Sequence, residues 1–355
     1  MRPVRQLVCS CALFTALSSC AQDGKTEFVP ALVGFYNIEN LYDTIDSPNT
    51  DDAEFLPESA KQWGSARYWR KIEKMGGVIA SMGKDLQPQG LAVFGLAEVE
   101  TRGVVEDLAR SSALKDRNYR VVHEDSPDRR GVDVALVYNP SLFKETGHKS
   151  YRLHMADTAF RTRDQLLVSG ILDGDTVHFI VAHWPSRRGG EKRSEPNRKA
   201  AAELGRHIVD SLLTRNANAR IMYMGDLNDD PVNVSISRYL RASGDKAKAV
   251  SDASNVSSTT LFNPMTVPYD KGIGSLAWRD SWNLFDQIIV SPALVSGVGG
   301  RYKYFGVRVF NEPYLAQKEG AFSGYPSRTF VGDQYQDGYS DHFPVFLILV
   351  REAQK

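Results

Sequence analysis

Cysteine is scarce in this sequence. Cys9, Cys11 and Cys20 are the three cysteines among 355 residues. The first two fall in a stretch that is typical of a signal peptide, so Cys20 would be the one cysteine of the mature chain. A disulfide within the chain and a cysteine-ligated metal site are therefore excluded. The stability of the folded domain has to come from its apolar core.

Long hydrophobic runs are also missing after the N-terminus, so no transmembrane helix is predicted in the mature chain. At the N-terminus, two arginines precede an apolar stretch at 7–17 that is too short to span a bilayer and indicates a signal peptide. Leu-Ser-Ser-Cys at 17–20 resembles a bacterial lipobox. We expect residues 1–19 to be a lipoprotein signal peptide, with lipidated Cys20 starting a tether at 20–28. A plain secretory peptide cleaved nearby is the alternative.

An excess of one charge sign is absent too, since the chain has 43 basic and 43 acidic residues. Removal of residues 1–19 leaves 41 basic and 43 acidic residues, a net charge of −2. That balance excludes a globally basic protein that coats nucleic acid, but it allows a local basic patch. No break in composition divides residues 29–350, which we expect to form a single globular domain and a monomer. The expected location is the cell envelope of a bacterium, lipid-anchored at the outer membrane or in the periplasm, or the exterior if no lipid is attached.

Apolar segments of strand length recur along the domain. They lie at 29–36, 91–97, 119–123, 132–138, 165–172, 177–182, 220–224, 284–290, 302–310 and 343–350. Asp-Gly-Asp at 173–175 indicates a hairpin. Helical spacing predicts helices at 66–82, 104–114 and 196–213; the apolar face of the first comprises Trp69, Ile72, Met75, Ile79 and Met82.

Polar segments at 43–58 and 241–280 are predicted to be a solvated insertion and a polar insertion. Two sheets packed face to face with helices outside would satisfy the apolar strands and the hairpin together. The fold class is therefore α/β. A doubly wound parallel sheet is the main alternative, and the hairpin argues against it.

Polar side chains stand where these apolar strands begin or end. The strand at 220–224 runs into Gly-Asp-Leu-Asn at 225–228, whose glycine allows a sharp turn. Taken singly, such motifs also suit ordinary turns. Asp286 is harder to explain as a turn residue, because an unpaired charge within an apolar strand costs several kcal/mol. The whole set is Asn37, Glu98, His183, Asp226, Asn228, Asp286, Asp341 and His342.

Carboxylates and amides are hard oxygen donors that suit Mg²⁺, Mn²⁺ or Ca²⁺, whereas a zinc site needs more histidine or cysteine. Two histidines beside carboxylates add acid–base capacity. A metal ion, a histidine and an oriented amide are what hydrolysis of a phosphate ester requires.

Seven short motifs in a fixed order resemble the endonuclease/exonuclease/phosphatase family, the DNase-I-like superfamily. In this sequence they read FYNIEN at 35–40, LAEV at 96–99, GVDVA at 131–135, AHWPS at 182–186, GDLN at 225–228, FDQIIVS at 285–291 and SDHFPV at 340–345. The match spans about 29–350. The resemblance implies a four-layered α/β sandwich and divalent-metal-dependent cleavage of a phosphoester.

The resemblance also implies roles for the metal and phosphate ligands. Glu98 would be the principal metal ligand, supported by Asn37 and Asp341. Asp226 and Asn228 would face the phosphate or a second ion. The motif at 35–40 also offers Glu39 as a second candidate acid.

For proton transfer, His342 would be oriented by Asp286 and would act as general base or stabilise the pentacovalent phosphate. His183 would donate to the phosphate. Beyond it, Arg187 and Arg188 lie in a loop with two glycines and are candidate substrate-binding residues.

The favoured interpretation is an envelope-anchored, Mg²⁺- or Mn²⁺-dependent phosphodiesterase, a nuclease whose partner is DNA or RNA. A phosphoesterase for small or lipid headgroup substrates, similar to the sphingomyelinase or inositol-phosphate members of the family, is the second hypothesis. The third is a non-catalytic lipoprotein binding module. The retained histidines and buried Asp286 argue against the third, because such groups are costly to keep without a use.

Overall fold

The structure is a computed structural model that describes residues 27–353 apart from 49, 156, 158 and 252–258. The predicted signal peptide and all but the last residues of the tether lie outside the described residues. The strands are β1 (Phe28–Leu41), β2 (Val93–Val99), β3 (Arg120–His123), β4 (Asp133–Tyr138), β5 (Phe143–Tyr151), β6 (Gln165–Leu172), β7 (Asp175–His183), β8 (Arg220–Asp226), β9 (Ala242–Ser243), β10 (Leu261–Phe262), β11 (Leu276–Trp278), β12 (Ser281–Asn283), β13 (Asp286–Val290), β14 (Lys303–Val309), β15 (Phe330–Val331), β16 (Gln334–Tyr335) and β17 (Val345–Glu352).

Helices connect and cover the strands. The α-helices are α1 (Ser65–Ser81), α2 (Arg102–Ala109), α3 (Glu191–Arg215), α4 (Lys246–Ser251), α5 (Thr266–Asp270) and α6 (Pro292–Ser296). Short 3₁₀-helices occupy Ala53–Phe55, Lys115–Arg117 and Pro313–Leu315, and a π-helix occupies Ser235–Tyr239. Among the described helices, none is long and apolar enough to cross a membrane.

The strands form two large mixed sheets. One is a 6-stranded sheet in the order β14-β17-β1-β2-β4-β3, and the other is a 7-stranded sheet in the order β5-β6-β7-β8-β13-β10-β9. The pairs β11-β12 and β15-β16 form separate 2-stranded sheets. Parallel pairing of β1 with β2 and of β7 with β8 requires crossover helices, and these are α1 and α3.

Three apolar cores separate four layers. Phe35 and Leu347 of the first sheet pack with Phe179 and Met222 of the second in the core between the sheets. A second core lies between the first sheet and helices α1 and α2, and a third lies between the second sheet and α3. The four-layered sandwich predicted from the sequence is therefore confirmed, and the doubly wound alternative is wrong.

The hairpin signal at 173–175 is borne out by the backbone. Asp173 and Gly174 both have positive φ, 46° and 90°, which is the conformation of a two-residue turn between twisted strands. Strands β6 and β7 accordingly pair in antiparallel register, with Leu172 opposite Asp175.

Two expectations about burial need correction at single residues. The segment 43–58 is mostly exposed or half-buried, as expected, but Phe55 is buried, stacks on Tyr42 at 4.4 Å between ring centroids and meets Trp63 edge-on at 6.1 Å. Trp69, expected on the packed face of α1, is 49% exposed. Helical periodicity marks a stripe of positions, and Trp69 lies at the border of that stripe.

Two expectations about secondary structure also change. Helix α3 begins at Glu191 and contains Pro196, whereas the sequence suggested a start at the proline. Strand β5 was not foreseen because its surface positions are polar and only Phe143 is fully buried. As the outer strand of its sheet it pairs on one side only, which removes the need for an apolar sequence.

Candidate active site

Three functional side chains stand in a row at the ends of adjacent strands. The β7–β8 register sets His183 opposite Asp226, and the β8–β13 register sets Asp286 opposite Asp226. Gly225 makes the close approach of β7 and β8 feasible, because a Cβ there would lie 2.0 Å from the carbonyl oxygen of Ala182. A glycine is therefore needed immediately before Asp226.

The first sheet presents Asn37 and Glu98 to the same region through a local distortion. Glu39, Asn40 and Glu98 have φ of 51°, 55° and 63°, and the β1–β2 register shifts between Asn37 and Leu41. Such bulges re-aim side chains, and left-handed backbone at non-glycine residues concentrates at functional sites. Here it lets Oε2 of Glu98 accept a hydrogen bond of 3.0 Å from the backbone N–H of Asn40.

The carboxylate of Asp226 joins the two sheets. Its Oδ2 accepts a hydrogen bond of 3.0 Å from Nδ2 of Asn37 and lies 3.4 Å from Nε2 of His183. Nε2 of His342 lies 3.9 Å from the same oxygen. Oε1 of Glu98 is 3.9 Å from Nε2 of His183. The strand-end residues named in the sequence thus converge around one carboxylate.

Asp286 and His342 form a close pair. Nδ1 of His342 lies 2.7 Å from Oδ2 of Asp286, whose side chain is fully buried. Hydrogen bonds also fix the backbone of His342. Its N–H donates to Oγ of Ser340, and the hydroxyl of Ser340 donates to the backbone carbonyl of Asn37. The pairing that the sequence suggested is present, and it directs Nε2 of His342 toward Asp226.

Burial and neighbouring charges shift the pKa values of His183 and His342 in opposite directions. Burial, followed by the cations Arg163 and Arg130, holds the pKa of His183 well below its usual value, so His183 is neutral. Burial also lowers the pKa of His342, but Asp286 and the other nearby carboxylates outweigh it and hold that pKa well above its usual value. These carboxylates therefore favour the protonated form of His342.

Burial raises the pKa of Asp226 to about 6, although the adjacent His342 favours its charged form. A carboxylate with a pKa this close to neutrality is suited to accept and release a proton.

The predicted metal ligands supply oxygen donors around this centre. Oδ1 of Asp341 lies 3.9 Å from Nε2 of His342. Oδ2 of Asp341 accepts a hydrogen bond of 2.7 Å from Nη2 of Arg328. Arg130 approaches Oε1 of Glu98 at 3.7 Å. Two carboxylates and the amide oxygen of Asn37 fit a hard divalent cation, and the arginines drawn to them show the excess of negative charge. Within the described residues, the tightest group of three metal-ligating atoms lies elsewhere, at His123, Asp125 and Asp133.

Asn228 is at the site, but its amide is partly engaged. Its φ is 50°, its backbone N–H donates 3.0 Å to Oδ1 of Asp226, and its Nδ2 donates 2.9 Å to the carbonyl of Trp184. The second hydrogen of Nδ2 remains for a phosphate oxygen. Asn228 thus also ties the loop after His183 to the loop after Asp226.

The two candidate substrate arginines have different surroundings. Arg187 donates to the carbonyl of Asn228 at 2.9 Å and to Asp229 and Asn233 at 3.1 Å each, and it packs over the ring of Phe285. The sequence predicts that Arg187 binds substrate. In the structure its guanidinium instead stabilises the turn that follows Asp226. Arg188 is exposed and makes no hydrogen bond or ion pair with the described residues, so it can reach a ligand.

Several site residues were missed by sequence reasoning. Arg328 bridges Asp341 and Glu39, with Nε 3.3 Å from Oε1 of Glu39. The ammonium group of buried Lys71 donates a hydrogen bond of 2.7 Å to the backbone carbonyl of Glu39. The contacts of Arg328 and Lys71 with Glu39 join residues more than thirty positions apart. Arginine and lysine on helices or loops carry no local signal that separates them from surface charges.

An aromatic surface lies against Phe343, the residue that follows His342 in the chain. Trp282 stacks on Phe343 with centroids 6.1 Å apart and an interplanar angle of 15°, yet it is 38% exposed. Tyr325 lies 5.8 Å from Trp282, and Phe322, which is 54% exposed, lies 5.5 Å from Tyr325. We call Trp282, Tyr325 and Phe322 the aromatic platform.

The platform is fixed to the catalytic strands. Oγ of Ser275 accepts a hydrogen bond of 3.3 Å from the backbone N–H of Asp286. The backbone carbonyl of Ser275 accepts one of 2.6 Å from the backbone N–H of Phe343. The hydroxyl of Tyr325 donates 2.9 Å to Asp280, in the turn of the β11–β12 hairpin. These hydrogen bonds tie the β11–β12 hairpin, which carries Trp282, to Asp286, Phe343 and Tyr325.

Comparison with family models decides the affiliation. The model described as "Endonuclease/Exonuclease/phosphatase family" matches residues 32–351. The chain belongs to this family. It is accordingly a phosphoric ester hydrolase, and the family's enzymes depend on divalent metal ions, so the resemblance noted in the sequence is confirmed.

Solved structures agree on the fold. An endonuclease/exonuclease/phosphatase family protein of Bacteroides thetaiotaomicron is 18% identical, with a TM-score of 0.52 over 92% of this chain and 100% of that chain. The mannosyl-6-phosphatase of B. thetaiotaomicron VPI-5482 is 18% identical, with a TM-score of 0.51 over 90% and 99%. D. rerio TDP2 complexed with single-strand DNA product is 11% identical, with a TM-score of 0.51 over 90% and 98%. No curated protein sequence matches the chain.

Proposed function

We propose that this protein is a divalent-metal-dependent phosphodiesterase that acts as a nuclease on DNA or RNA outside the cytoplasm. The observation that carries the proposal is the Asp286–His342 pair, directed at the Asp226 carboxylate beside neutral His183 and the oxygen donors of Glu98 and Asn37. The Asp226 carboxylate, with its raised pKa, has Nε2 of His183 and Nε2 of His342 each within 4 Å of its Oδ2. The three groups would supply a base and two hydrogen-bond donors for a phosphate.

The chain's own residues would divide the chemistry as follows. Asp226 accepts the proton of the attacking water as its oxygen bonds to phosphorus. The imidazolium of His342, held by Asp286, donates to a phosphate oxygen that gains charge, and His183 donates from the other side. The bond from phosphorus to the leaving oxygen breaks, and that oxygen takes up a proton from solvent or from His342.

Glu98, Asn37 and Asp341 would hold the divalent cation, which when bound neutralises phosphate charge and stabilises the leaving oxygen. Mg²⁺ or Mn²⁺ suits this set better than Zn²⁺ because every donor is an oxygen.

The aromatic platform supports a substrate with a ring next to the scissile phosphate. A nucleobase stacks on such rings with about 1–3 kcal/mol per base and with little sequence preference. A sugar ring also packs on tryptophan, so a sugar phosphomonoester is the second candidate. The B. thetaiotaomicron mannosyl-6-phosphatase of similar fold makes that candidate worth testing.

A substrate panel separates these candidates. It contains single-stranded DNA, RNA, plasmid DNA, sphingomyelin, inositol phosphates and a hexose 6-phosphate, each assayed with Mg²⁺ and with excess EDTA. Cleavage of the nucleic acids at the highest kcat/KM supports the proposal. A hexose phosphate, sphingomyelin or an inositol phosphate as the best substrate would replace the nuclease assignment.

Replacing Trp282 with alanine should raise KM on the best substrate about tenfold or more, with a smaller change in kcat, because stacking binds the ring before and during reaction. Trp69→Ala is the matched control, since Trp69 is similarly exposed but lies on helix α1. Steady-state kinetics of both variants, with melting temperatures, measure the effect. Equal KM for both variants would remove the platform from substrate binding.

Arg187→Ala and Arg188→Ala should have distinct effects. Loss of the Arg187 contacts should lower kcat and melting temperature, because the turn bearing Asp226 loses its brace. Loss of Arg188 should raise KM on a polynucleotide and reduce the slope of log KM against log salt by about 0.7–0.9 per lost phosphate contact. If Arg188→Ala leaves KM and its salt dependence unchanged, the exposed arginine does not contact substrate.

Lipid anchoring remains a proposal based on the sequence around Cys20. Cys20→Ser should move the protein from the membrane fraction to the soluble fraction, because several acyl chains hold a lipoprotein firmly. Immunoblots of fractionated cells measure the distribution. An unchanged distribution would argue against a lipid on Cys20.

A further inference from the structure

A second group of potential metal ligands lies outside the proposed catalytic centre. One ligand atom from each of His123, Asp125 and Asp133 lies within 4.8 Å of the other two. His123 ends β3 and Asp133 begins β4, so the two residues flank the loop 124–132 at its base. The phosphoesterase mechanism proposed above uses none of the three.

His123 is the unusual member of this group. Its side chain is only 2% exposed, and its Nε2 is buried without a hydrogen bond of acceptable geometry. That nitrogen nevertheless lies 3.2 Å from Oδ2 of Asp133. Two ligand atoms on one tetrahedral zinc ion, each bonded at 2.0–2.2 Å, stand about 3.3–3.6 Å apart. The observed separation is close to that of two ligands of one ion, and Nε2 has no other partner among the described residues.

The two aspartates complete the arrangement in different ways. Asp133 is buried, and its other oxygen, Oδ1, is held by the backbone N–H of Ser126 at 2.9 Å, which leaves Oδ2 for a ligand. Asp125 has a side chain that is 92% exposed, and its Oδ1 lies 3.8 Å from Nδ1 of His123, so it must turn toward Nε2 to join the other two ligands. An exposed aspartate can change rotamer at little cost, so it can close over an ion that the other two already face.

We propose that His123, Asp125 and Asp133 bind a Zn²⁺ ion, with water as the fourth ligand. A histidine nitrogen favours zinc over Mg²⁺ or Ca²⁺, which prefer oxygen donors throughout, and two carboxylates balance the charge of the ion. This site is chemically distinct from the all-oxygen set of Glu98, Asn37 and Asp341. It would therefore select a different metal from the catalytic one.

The position of the site gives the ion a structural role. The loop that it closes carries Arg130, whose Nη2 lies 3.7 Å from Oε1 of Glu98, and Asp128, which pairs with Arg163 at 3.0 Å. The hydroxyl of Tyr42 fixes the same loop through the carbonyl of Arg130. An ion at the base would fix the end of the loop that these contacts leave open.

Equilibrium dialysis of the full chain against Zn²⁺, with metal content measured by mass spectrometry, tests the site. The Glu98→Gln variant is the background, so that the catalytic set contributes as little as possible. We expect this background to retain one Zn²⁺ per chain and a Zn²⁺-dependent rise in melting temperature. Adding Asp125→Asn should weaken Zn²⁺ binding by about tenfold or more and reduce the rise.

Asp116→Asn in the same background is the matched control, because Asp116 is an exposed acid outside the group. Asp125→Asn changes a surface residue and should fold normally. His123→Gln is the second variant, and absorption of the Co²⁺-loaded protein reports the loss of its nitrogen ligand. Zn²⁺ binding that is unchanged by Asp125→Asn and His123→Gln, or absent from the background, would overturn the site. Neither result depends on catalysis.

Discussion

His342→Ala and Asp286→Ala are each expected to lower kcat about 10²–10⁴-fold, the range of a lost acid–base group. Asp286, which is fully buried with Oδ2 2.7 Å from Nδ1 of His342, favours the protonated form of this histidine. Removing either residue therefore removes the same function. The double variant should be little worse than the worse single variant. Steady-state kinetics at saturating Mg²⁺, with circular dichroism to verify folding, measure the coupling.

His178→Ala serves as the control for this pair. His178 lies on β7 like His183, but it pairs with Ser169 at 2.8 Å away from the site. Its replacement should leave kcat within a factor of two or so. Losses that multiply in the double variant would show that His342 and Asp286 act independently and would contradict the coupled pair.

Glu98→Gln should raise the Mg²⁺ concentration for half-maximal activity by at least about tenfold and lower kcat/KM about 10²–10³-fold. The change preserves shape and removes the anionic oxygens that a hard cation prefers. Asp226→Asn should behave differently: it should lower kcat while leaving the Mg²⁺ requirement nearly unchanged, because Asp226 is proposed to move a proton. Mg²⁺ titrations of the rate separate the two effects.

Glu106→Gln is the matched control for Glu98→Gln, since Glu106 is a partly exposed acid of α2 that pairs only with Arg102 and Arg110 in the described structure. Its Mg²⁺ dependence should match that of the unmodified protein. If Glu98→Gln also matched it, Glu98 would not be a metal ligand.

The sequence predicts this fold well because the apolar pattern is local. Strands such as β2 and β8 are buried on both faces and read as unbroken apolar runs, and the Asp173-Gly174 turn has its own backbone signature. The predictions that failed involve residues whose burial depends on distant partners. Phe55 is buried because Tyr42 and Trp63 enclose it, and a stretch of acidic neighbours hides that role.

In the candidate site, too, the features that depend on local patterns could be predicted, and those that depend on distant partners could not. His183, Asp226 and Asp286 stand at strand ends, and the sheet register brings them together. Asn37 lies within β1, at the point where its pairing with β2 shifts, and reaches Asp226 through a hydrogen bond. Arg187 shows the limit of such reasoning. Its charge and nearby glycines suggested a substrate ligand, but its partners lie more than forty positions later in the turn after Asp226.

Ligand selectivity is even less visible in the sequence. The aromatic platform joins Trp282 of one region to Phe322 and Tyr325 of another. Each ring alone is an ordinary core or surface residue in the sequence. They come together through ring contacts between residues that are distant in the sequence, and Tyr325 is held by its hydrogen bond to Asp280.

The most direct test of the account is the hydrolysis of bis-nitrophenyl phosphate by the purified chain, with and without divalent ions. The account predicts measurable turnover in Mg²⁺ or Mn²⁺, its loss in excess EDTA, its recovery when Mg²⁺ is restored, and its absence in His342→Ala under every condition. Full activity in excess EDTA, or unchanged activity in His342→Ala, would contradict the assignment of this constellation as a metal-dependent phosphoesterase centre.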